Sequence, residues 1–219
     1  MKKNMYSLML SEEVVERVDR IAAEKQTTRS NLINQILAEY VSLKTPEKRA
    51  DDIVRRLSET LERDSGLILL AQPRNSMAFS IKTTLAVSYQ PAVLYEILLS
   101  RTPKTSPGKL RVVVRTRSTP LLVTLTRFLE VWMGLETVYL KDRMPEGFSL
   151  YSMENGKFVR HFVPAADGAG REEDYADAIR CYVTVFDKFL KEYITGVRRE
   201  TDAVERDYLA CLENGSLRI

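Results

Sequence analysis

The opening segment, residues 1–44, constrains this chain more than any other part, because its pattern describes a unit too small to fold alone. Along residues 3–10, Tyr6, Leu8 and Leu10 occupy alternate positions, which predicts a short strand with one apolar face. The other parity carries Lys3, Met5, Ser7 and Met9. A strand followed by two helices has too little surface to bury its own apolar face. We therefore expect this segment to fold with a partner.

Two amphipathic helices are predicted after the strand. Ser11 ends the strand and is suited to cap the first helix, and Thr28 is the best candidate cap of the second. Apolar residues recur at three- and four-residue steps in both helices. They are Val14, Val15, Val18, Ile21 and Ala22 in the first helix, and Leu32, Ile33, Ile36, Leu37, Tyr40 and Val41 in the second.

Residues 3–43, about the first fifth of the chain, resemble the ribbon-helix-helix family of DNA-binding proteins (the MetJ/Arc/CopG class), and most closely its CopG-like branch. The specific parts are Met-Tyr-Ser-Leu-Met-Leu at 5–10, Leu-Ser-Glu-Glu-Val at 10–14, and Thr-Arg-Ser-Asn-Leu-Ile at 28–33. The resemblance implies an intertwined homodimer, in which the strands of two chains pair into an antiparallel ribbon that lies in the DNA major groove.

The resemblance also implies which residues touch DNA. Base edges would face the outward ribbon positions Lys3, Met5, Ser7 and Met9. The start of the second helix would hold a backbone phosphate. The phosphate contacts implied are Lys2, Thr28, Arg29, Ser30 and Asn31. The family commonly has a glycine between the helices, where this chain has Gln26, so the turn must be made without the residue that enters left-handed conformations most easily.

Two domains follow from the length of 219 residues. After the ribbon-helix-helix unit at 1–44, residues 45–65 read as a charged connecting helix, largely exposed and pairing with its dimer mate, with a thin stripe of Ile53, Leu57 and Leu61. Residues 66–219 predict an α+β domain, a mainly antiparallel sheet backed by C-terminal helices, because strands run in series without a βαβ rhythm. This domain would supply oligomerisation, or ligand or partner binding.

The elements of that domain are predicted from periodicity and turn residues. Strands are expected within 67–71, 77–89, 93–99, 109–117 and 136–140, and a hairpin over 148–163 turns at Asn155-Gly156. Helices are expected over 121–133, ended by Gly134, from 171 to Gly196, and over 197–212. The aromatic stripe Tyr175, Tyr182, Phe186 and Tyr193 is typical of a core, although it could also line a ligand pocket.

A second group of basic residues has two interpretations. Arg111, Arg115 and Arg117, with Arg127 nearby in sequence, could form a patch that binds an anion, a phosphorylated ligand or more nucleic acid. The commoner alternative is that these arginines cover the solvated face of a half-exposed strand. Neither interpretation implies catalysis.

The remaining composition predicts neither an enzyme nor a metalloprotein. The chain has a single histidine, His161, which is expected to be structural, and its cysteines, Cys181 and Cys211, are expected to be buried thiols in helices. No paired-cysteine spacing, glycine-rich phosphate loop or nucleophile elbow is present, so no metal and no cofactor is expected. No apolar run reaches the roughly eighteen to twenty residues of a membrane span, and we expect a cytoplasmic protein without membrane contact.

These patterns together predict a homodimeric, sequence-specific protein that binds double-stranded DNA. Its role would be that of a transcriptional repressor or of a plasmid-type replication, partition or transfer factor, with possible assembly beyond the dimer and an effector that the sequence does not identify. The net charge of +3 is mild, so DNA affinity must come from charge placement and should depend strongly on salt. The alternative is a protein-interaction module, because Met5 and Met9 cannot make the hydrogen bonds that discriminate bases.

Overall fold

The computed structural model describes residues 5, 7–41, 43, 45–61, 66–71, 76–101, 107–154, 157–163, 172–197 and 200–213. In chain order the helices are α1 (Glu12–Glu24), α2 (Arg29–Tyr40), α3 (Pro46–Leu61), α4 (Thr119–Tyr139), α5 (Glu172–Thr195) and α6 (Thr201–Glu213), with a short 3-10 helix at Lys141–Arg143. The strands are β1 (Ile68–Leu69), β2 (Ala78–Thr84), β3 (Ala92–Leu99), β4 (Gly108–Val114), β5 (Tyr151–Glu154) and β6 (Lys157–His161). The predicted α+β class with a mainly antiparallel sheet is confirmed.

The strands form one six-stranded sheet in the order β1-β2-β3-β4-β6-β5, and every neighbouring pair is antiparallel. The register brings Phe79, Ile97 and Leu110 to directly opposed positions, so these buried side chains share one face. The opposite face carries half-exposed side chains, among them Glu96 and Arg111. The sheet therefore has one core face and one polar face.

Helices α3 to α6 supply the second layer of the core. Trp132 of α4 is completely buried, and its ring lies 5.2 Å from Phe186 and 5.4 Å from Tyr208, centroid to centroid. Tyr95 of β3 meets Phe186 edge-on at 5.9 Å, which joins the sheet to α5. The aromatic stripe of α5 therefore belongs to the core, as its helical spacing favoured.

Helix α3 belongs to the same core. Ala50, Ile53 and Leu57 have no exposed surface and Leu61 has 2 %, and they join the buried cluster formed by the sheet and α5. The prediction of a largely exposed connecting helix is therefore incomplete, because its thin stripe is fully covered by the domain that follows. The charged residues Lys48, Asp52 and Arg55 lie on its other side and pair with one another.

The N-terminal strand prediction is not confirmed within one chain. Residues 7–11 pair with no strand in the described part of the chain, and the first regular element is the helix α1. Lys2, Lys3 and Tyr6 lie outside the described residues. Helices α1 and α2 pack together around Val18, Ala22 and Leu32, a small cluster separate from the main core. The backbone N–H and C=O groups of a strand need partners on a neighbouring strand, and one chain supplies no such neighbour for this segment among the described residues.

Residues 136–139 belong to helix α4 and Leu140 caps it, so the prediction of a strand over 136–140 is wrong. Helix α4 continues through Gly134 to Tyr139, because Trp132, Leu135 and Glu136 extend its buried stripe beyond the glycine. A single glycine inside a helix lowers its stability by only about 1 kcal/mol, which tertiary packing outweighs. The run Glu-Thr-Val-Tyr-Leu resembles a strand only when it is considered apart from the buried face of α4 that precedes it.

The other strands occur where predicted: β3 agrees with its predicted range to within one residue, and most of the rest are shorter than predicted. β1 spans only Ile68–Leu69, and β2 ends at Thr84 before a turn in which Tyr89 and Gln90 have φ values of 65° and 41°. β4 ends at Val114, three residues short of the predicted 109–117. The hairpin is confirmed by the pairing of β5 with β6, although its turn, Asn155-Gly156, lies outside the described residues. Helix α5 stops at Thr195, and Gly196 follows with φ 84°.

Candidate nucleic-acid interface

The turn between α1 and α2 sets the position of the predicted phosphate contacts. Gln26 adopts a left-handed φ of 51°, so this residue takes the conformation that a glycine would take more easily. Thr28 then precedes α2 in an extended conformation, and its hydroxyl oxygen accepts a hydrogen bond from the Asn31 amide at 3.3 Å. The predicted cap is confirmed, and it leaves the first amides of α2 at the surface.

Arg29, Ser30 and Asn31 are exposed together at the start of α2. Arg29 is engaged by Asp19 of α1: its Nε donates to Oδ1 at 2.5 Å, and its Nη2 pairs with Oδ2. These hydrogen bonds lower the pKa of the Asp19 carboxyl and raise the pKa of Arg29. The carboxylate is therefore charged at neutral pH, and a phosphate at this helix end must share Arg29 with it.

The predicted base-reading residues are fully accessible where the structure describes them. Met5 is 98 % exposed and Met9 is 103 % exposed, and Ser7 between them is exposed as well. Leu8 and Leu10, on the other parity, are 60 % and 43 % exposed. Lys3 lies outside the described residues. Met5 and Met9, predicted to face outward, are thus more exposed than Leu8 and Leu10, predicted to face inward. None of the four side chains is buried in the single chain.

Most of the apolar surface of this N-terminal unit is uncovered. Of the residues that the structure describes in this unit, Val18, Ala22 and Leu32 form the buried set, with Ile33 packed against it. The exposed apolar residues, which we call the N-terminal apolar surface, are Leu8, Leu10, Val14, Ile21, Ile36, Leu37, Tyr40, Val41 and Leu43, with exposures from 37 % to 87 %. So many exposed apolar side chains in one small unit are typical of an interaction surface.

The predicted anion patch is divided between two environments. Arg111 of β4 donates to Glu96 Oε2 at 3.0 Å and to Glu154 Oε2 at 3.3 Å, and Lys109 also pairs with Glu154 at 2.6 Å. These two cations lower the pKa of the Glu154 carboxyl, the hydrogen bond from Lys109 contributing most. The charge of Arg111 is therefore neutralised by neighbours on the polar face of the sheet.

Arg115 and Arg117 lie beyond the end of β4, in the exposed segment before α4, and Arg127 is exposed on α4. None of the three has an ion-pair partner among the described residues. The structure thus separates Arg111, which is paired, from the arginines with which it was grouped. The solvated-face interpretation fits Arg111 best.

Sequence reasoning missed a buried ion pair at the centre of the α+β domain. Glu136 of α4 and Arg160 of β6 are both completely buried, with Arg160 Nη2 donating to Glu136 Oε1 at 2.9 Å. Glu136 Oε2 also accepts from Tyr182 at 3.0 Å, from Trp132 Nε1 at 3.2 Å, and from the Tyr151 hydroxyl. The guanidinium lies 4.3 Å from the centre of the Tyr182 ring.

The electrostatics of this pair are those of a structural site. Burial is the largest single influence on Arg160 and would lower its pKa, but the charge and hydrogen bonding of Glu136, together with the neighbouring Tyr182 and Tyr151, hold that pKa above its ordinary value. Burial, and then the charge of Glu136, raise the pKa values of Tyr182 and Tyr151, so both hydroxyls remain protonated donors. The arrangement joins α4, α5, β5 and β6. One signal was available in the sequence: a glutamate four residues after Trp132, on the apolar side of a helix.

His161 is half-buried at the end of β6. Its Nε2 lies 2.9 Å from the Ser152 hydroxyl on the neighbouring strand. Burial lowers the pKa of the imidazole, the ammonium of Lys109 lowers it further, and Glu154 opposes both effects. No cluster of three or more metal-ligating side chains occurs among the described residues, and no described helix has the length and apolar character needed to cross a bilayer.

Comparisons of the chain with models of known protein families, with curated proteins and with solved structures each returned no match.

Proposed function

We propose that the protein is a homodimeric, sequence-specific DNA-binding protein in which two copies of the N-terminal unit complete one ribbon-helix-helix fold. The observation that carries the proposal is the N-terminal apolar surface. Helices α1 and α2 have 13 and 12 residues, and isolated helices of about this length are marginal in water. Their shared core of Val18, Ala22 and Leu32 is small. A second copy would cover the exposed side chains and supply the stability that one chain lacks.

The position of that surface favours a twofold partner. Its members lie on the extended segment before α1, on α1, on the C-terminal half of α2 and just after α2. Every copy of the chain therefore exposes the same surface, which two copies can cover for each other. Burial of one apolar side chain contributes about 1.5–3 kcal/mol, and several such residues per chain are available. An interface between identical patches satisfies the symmetry of a closed dimer. Pairing of residues 3–10 with their counterparts would also complete the missing ribbon.

The proposed DNA contacts follow from the same dimer. With Leu8 and Leu10 turned into the interface, Met5, Ser7 and Met9 would face the major groove, joined by Lys3. The exposed start of α2, with Arg29, Ser30 and Asn31, would receive a phosphate. Methionine offers apolar contact with thymine methyl groups, so base discrimination would rest mainly on Lys3 and Ser7. The cellular role would be repression of transcription, or plasmid-type replication, partition or transfer, without a catalytic step.

A protein-interaction module remains the second candidate, favoured by one observation. Met5 and Met9 are almost completely exposed apolar side chains on a segment that the family uses for polar readout. Methionine is adaptable at protein-binding surfaces. In this alternative the N-terminal unit dimerises the chain, and its outer face or the α+β domain binds a protein.

Titration of fluorescent duplex DNA at several salt concentrations separates the two candidates. The proposal predicts that affinity falls by more than about tenfold between about 50 and 200 mM salt, because phosphate contacts release counterions. Replacing Lys3, Ser7 and Arg29 together by alanine should weaken binding by a similar factor. Arg206→Ala on α6, an exposed arginine outside the interface, is the matched control and should leave affinity unchanged. Salt-independent binding, or equal behaviour of the triple variant and the control, would exclude ribbon readout.

A further inference from the structure

A cleft opens between α4 and the β4-β6-β5 half of the sheet. Its volume is about 590 Å³. The walls come from three sides: Val112 and Phe158 from the sheet, Leu125 and Leu129 from α4, and Phe186 from the floor formed by α5. The cleft lies in the α+β domain, and no described residue of the N-terminal unit lines it.

The inner surface of the cleft is apolar. Besides those wall residues, it is lined by Leu122, Met133, Tyr151, Met153 and Leu190. Leu122 is 44 % exposed and Met153 is 68 % exposed, so apolar side chains also form part of the rim. The Tyr151 hydroxyl is not available to a ligand as a free donor, because it donates to the buried Glu136. Apolar contact is therefore the main interaction that the interior offers.

The charged residues of the lining have opposite signs. Glu130 of α4 is exposed, Lys157 of β6 is half-exposed, and neither has an ion-pair partner among the described residues. The Thr126 hydroxyl, which also lines the cleft, donates to the Leu122 carbonyl of its own helix at 3.0 Å. A ligand with a net charge would be attracted by one of the two charged groups and repelled by the other. The lining therefore suits an uncharged polar group with both donor and acceptor capacity.

The dimensions fit a small molecule. Ligand sites commonly measure about 300–1,000 Å³, and an apolar cavity of about 150 Å³ holds a single benzene ring. The cleft has room for two or three linked or fused rings on this scale. A protein partner would require an interface of about 1,000 Å² or more with good complementarity, which a concave site of this size does not provide by itself.

We propose that this cleft binds an uncharged, mainly apolar organic molecule of two to three rings, with one hydrogen-bonding group near Glu130 and Lys157. The proposal goes beyond DNA binding and does not depend on it, because all of the residues that form the cleft belong to the α+β domain.

The test uses the uncharged dye N-phenyl-1-naphthylamine, whose fluorescence rises in apolar surroundings, with the full-length protein. The proposal predicts saturable binding with a stoichiometry of one dye per chain. The variants Leu122→Lys and Val123→Lys form a matched pair, because these neighbours on α4 are 44 % and 46 % exposed but only Leu122 lines the cleft. Leu122→Lys should weaken dye binding by about tenfold or more, and Val123→Lys should leave it within about twofold.

Further variants and a second dye separate the other outcomes. Thr126→Trp, which fills the cleft from the surface, should also reduce binding, and it serves if Leu122→Lys loses the native circular-dichroism spectrum. The anionic relative 8-anilinonaphthalene-1-sulfonate should bind no more tightly than the uncharged dye. Equal binding by the Leu122→Lys and Val123→Lys variants would place the dye elsewhere, for example on the N-terminal apolar surface, and would overturn the proposal. Absence of saturable binding, or tighter binding of the anionic dye by tenfold, would overturn it as well.

Discussion

Glu136 and Arg160 are the single residues on which the interior of the α+β domain depends most. Removal of two charges from water is costly, and only a close, fully hydrogen-bonded pair offsets that cost. Here the carboxylate receives donors from Arg160, Tyr182, Trp132 and Tyr151. The pair therefore specifies how α4 sits on β6, whether or not it adds net stability over an apolar substitute.

The Glu136→Gln variant tests this role. It leaves Arg160 buried beside a neutral amide, and loss of one partner from a buried pair should lower the free energy of unfolding by about 3–5 kcal/mol, measured by urea denaturation. Glu130→Gln, an exposed glutamate on the same helix, is the control and should change stability by less than about 0.5 kcal/mol.

The double variant Glu136→Leu/Arg160→Met identifies the cause of that loss. Because it removes both charges, it should recover much of the stability lost by Glu136→Gln. A double variant less stable than the single one would show that packing, and not charge, holds this site.

His161 gives a pH-dependent signal that is free of overlap, because it is the only histidine in the chain. Burial and Lys109 lower the pKa of its imidazole in the folded state, so the folded protein binds this proton less readily than the unfolded chain does. This contribution to stability is therefore present above the ordinary histidine pKa of about 6.5 and declines as the pH falls below it.

A proton NMR titration of the His161 ring should give a midpoint below about 6.5. Lys109→Met should move the midpoint upward, because it removes a neighbouring positive charge. Glu154→Gln should move it downward, since Glu154 opposes the other two effects. A midpoint above 6.5 in the unmodified protein would contradict the structural environment described for this residue.

At the scale of elements, α3 shows how a charged helix can be central to a core. Its buried side chains recur at three- and four-residue steps from Ala50 to Leu61, and their neighbours are charged. The helix packs against α5 and β1. It therefore ties the segment after the N-terminal unit directly into the α+β domain.

The Leu57→Ala variant measures how much the packing of α3 contributes to the stability of the α+β domain. Because Leu57 is completely buried, the substitution should lower the free energy of unfolding by about 2–5 kcal/mol. Arg55→Ala, on the exposed side of the same helix, should change it by less than about 0.5 kcal/mol. Similar small effects for both variants in urea denaturation would mean that α3 is a solvated connector, as its composition alone suggested.

The sequence predicted these elements to differing degrees, for physical reasons. The β5-β6 hairpin and helices α1, α2 and α5 carry local signals, namely alternation, caps and helical periodicity, which act within a few residues. The extent of α4 and the burial of α3 depend on what packs against them, and that information is not local. Gly134 was interpreted as a stop because its buried neighbours, Leu135 and Glu136, had no visible partner in the sequence.

The same distinction applies to the candidate sites. Thr28 as a cap and the exposure of Met9 could be derived from residue type and parity. The Arg29–Asp19 pair depends on how α1 and α2 pack, and the ion pairs of Arg111 depend on which strands lie beside β4, which ends at Val114 before Arg115 and Arg117. The Glu136–Arg160 pair joins residues far apart in the chain, and the cleft is lined by five elements, namely three strands and two helices. Such features arise only from the tertiary arrangement.

At the scale of the whole molecule, the α+β domain and the N-terminal unit differ in how far their apolar side chains are buried. The α+β domain has a continuous buried core and a buried, hydrogen-bonded ion pair. Among its described residues, the N-terminal unit has three buried apolar side chains and a larger exposed apolar set. This imbalance underlies our proposal that a second copy completes the N-terminal unit and that the resulting dimer would present its ribbon to DNA.

Sedimentation equilibrium of the full-length protein is the most direct test of the proposed dimer. The proposal predicts that the unmodified protein is a dimer. It also predicts that Leu37→Lys, which places a charge in the N-terminal apolar surface, shifts the protein to monomer. Val138→Lys is the control, because Val138 is 67 % exposed on α4, outside that surface, and its substitution should leave the dimer intact. A monomeric unmodified protein, or a Leu37→Lys variant that dimerises as tightly as the control, would contradict the account.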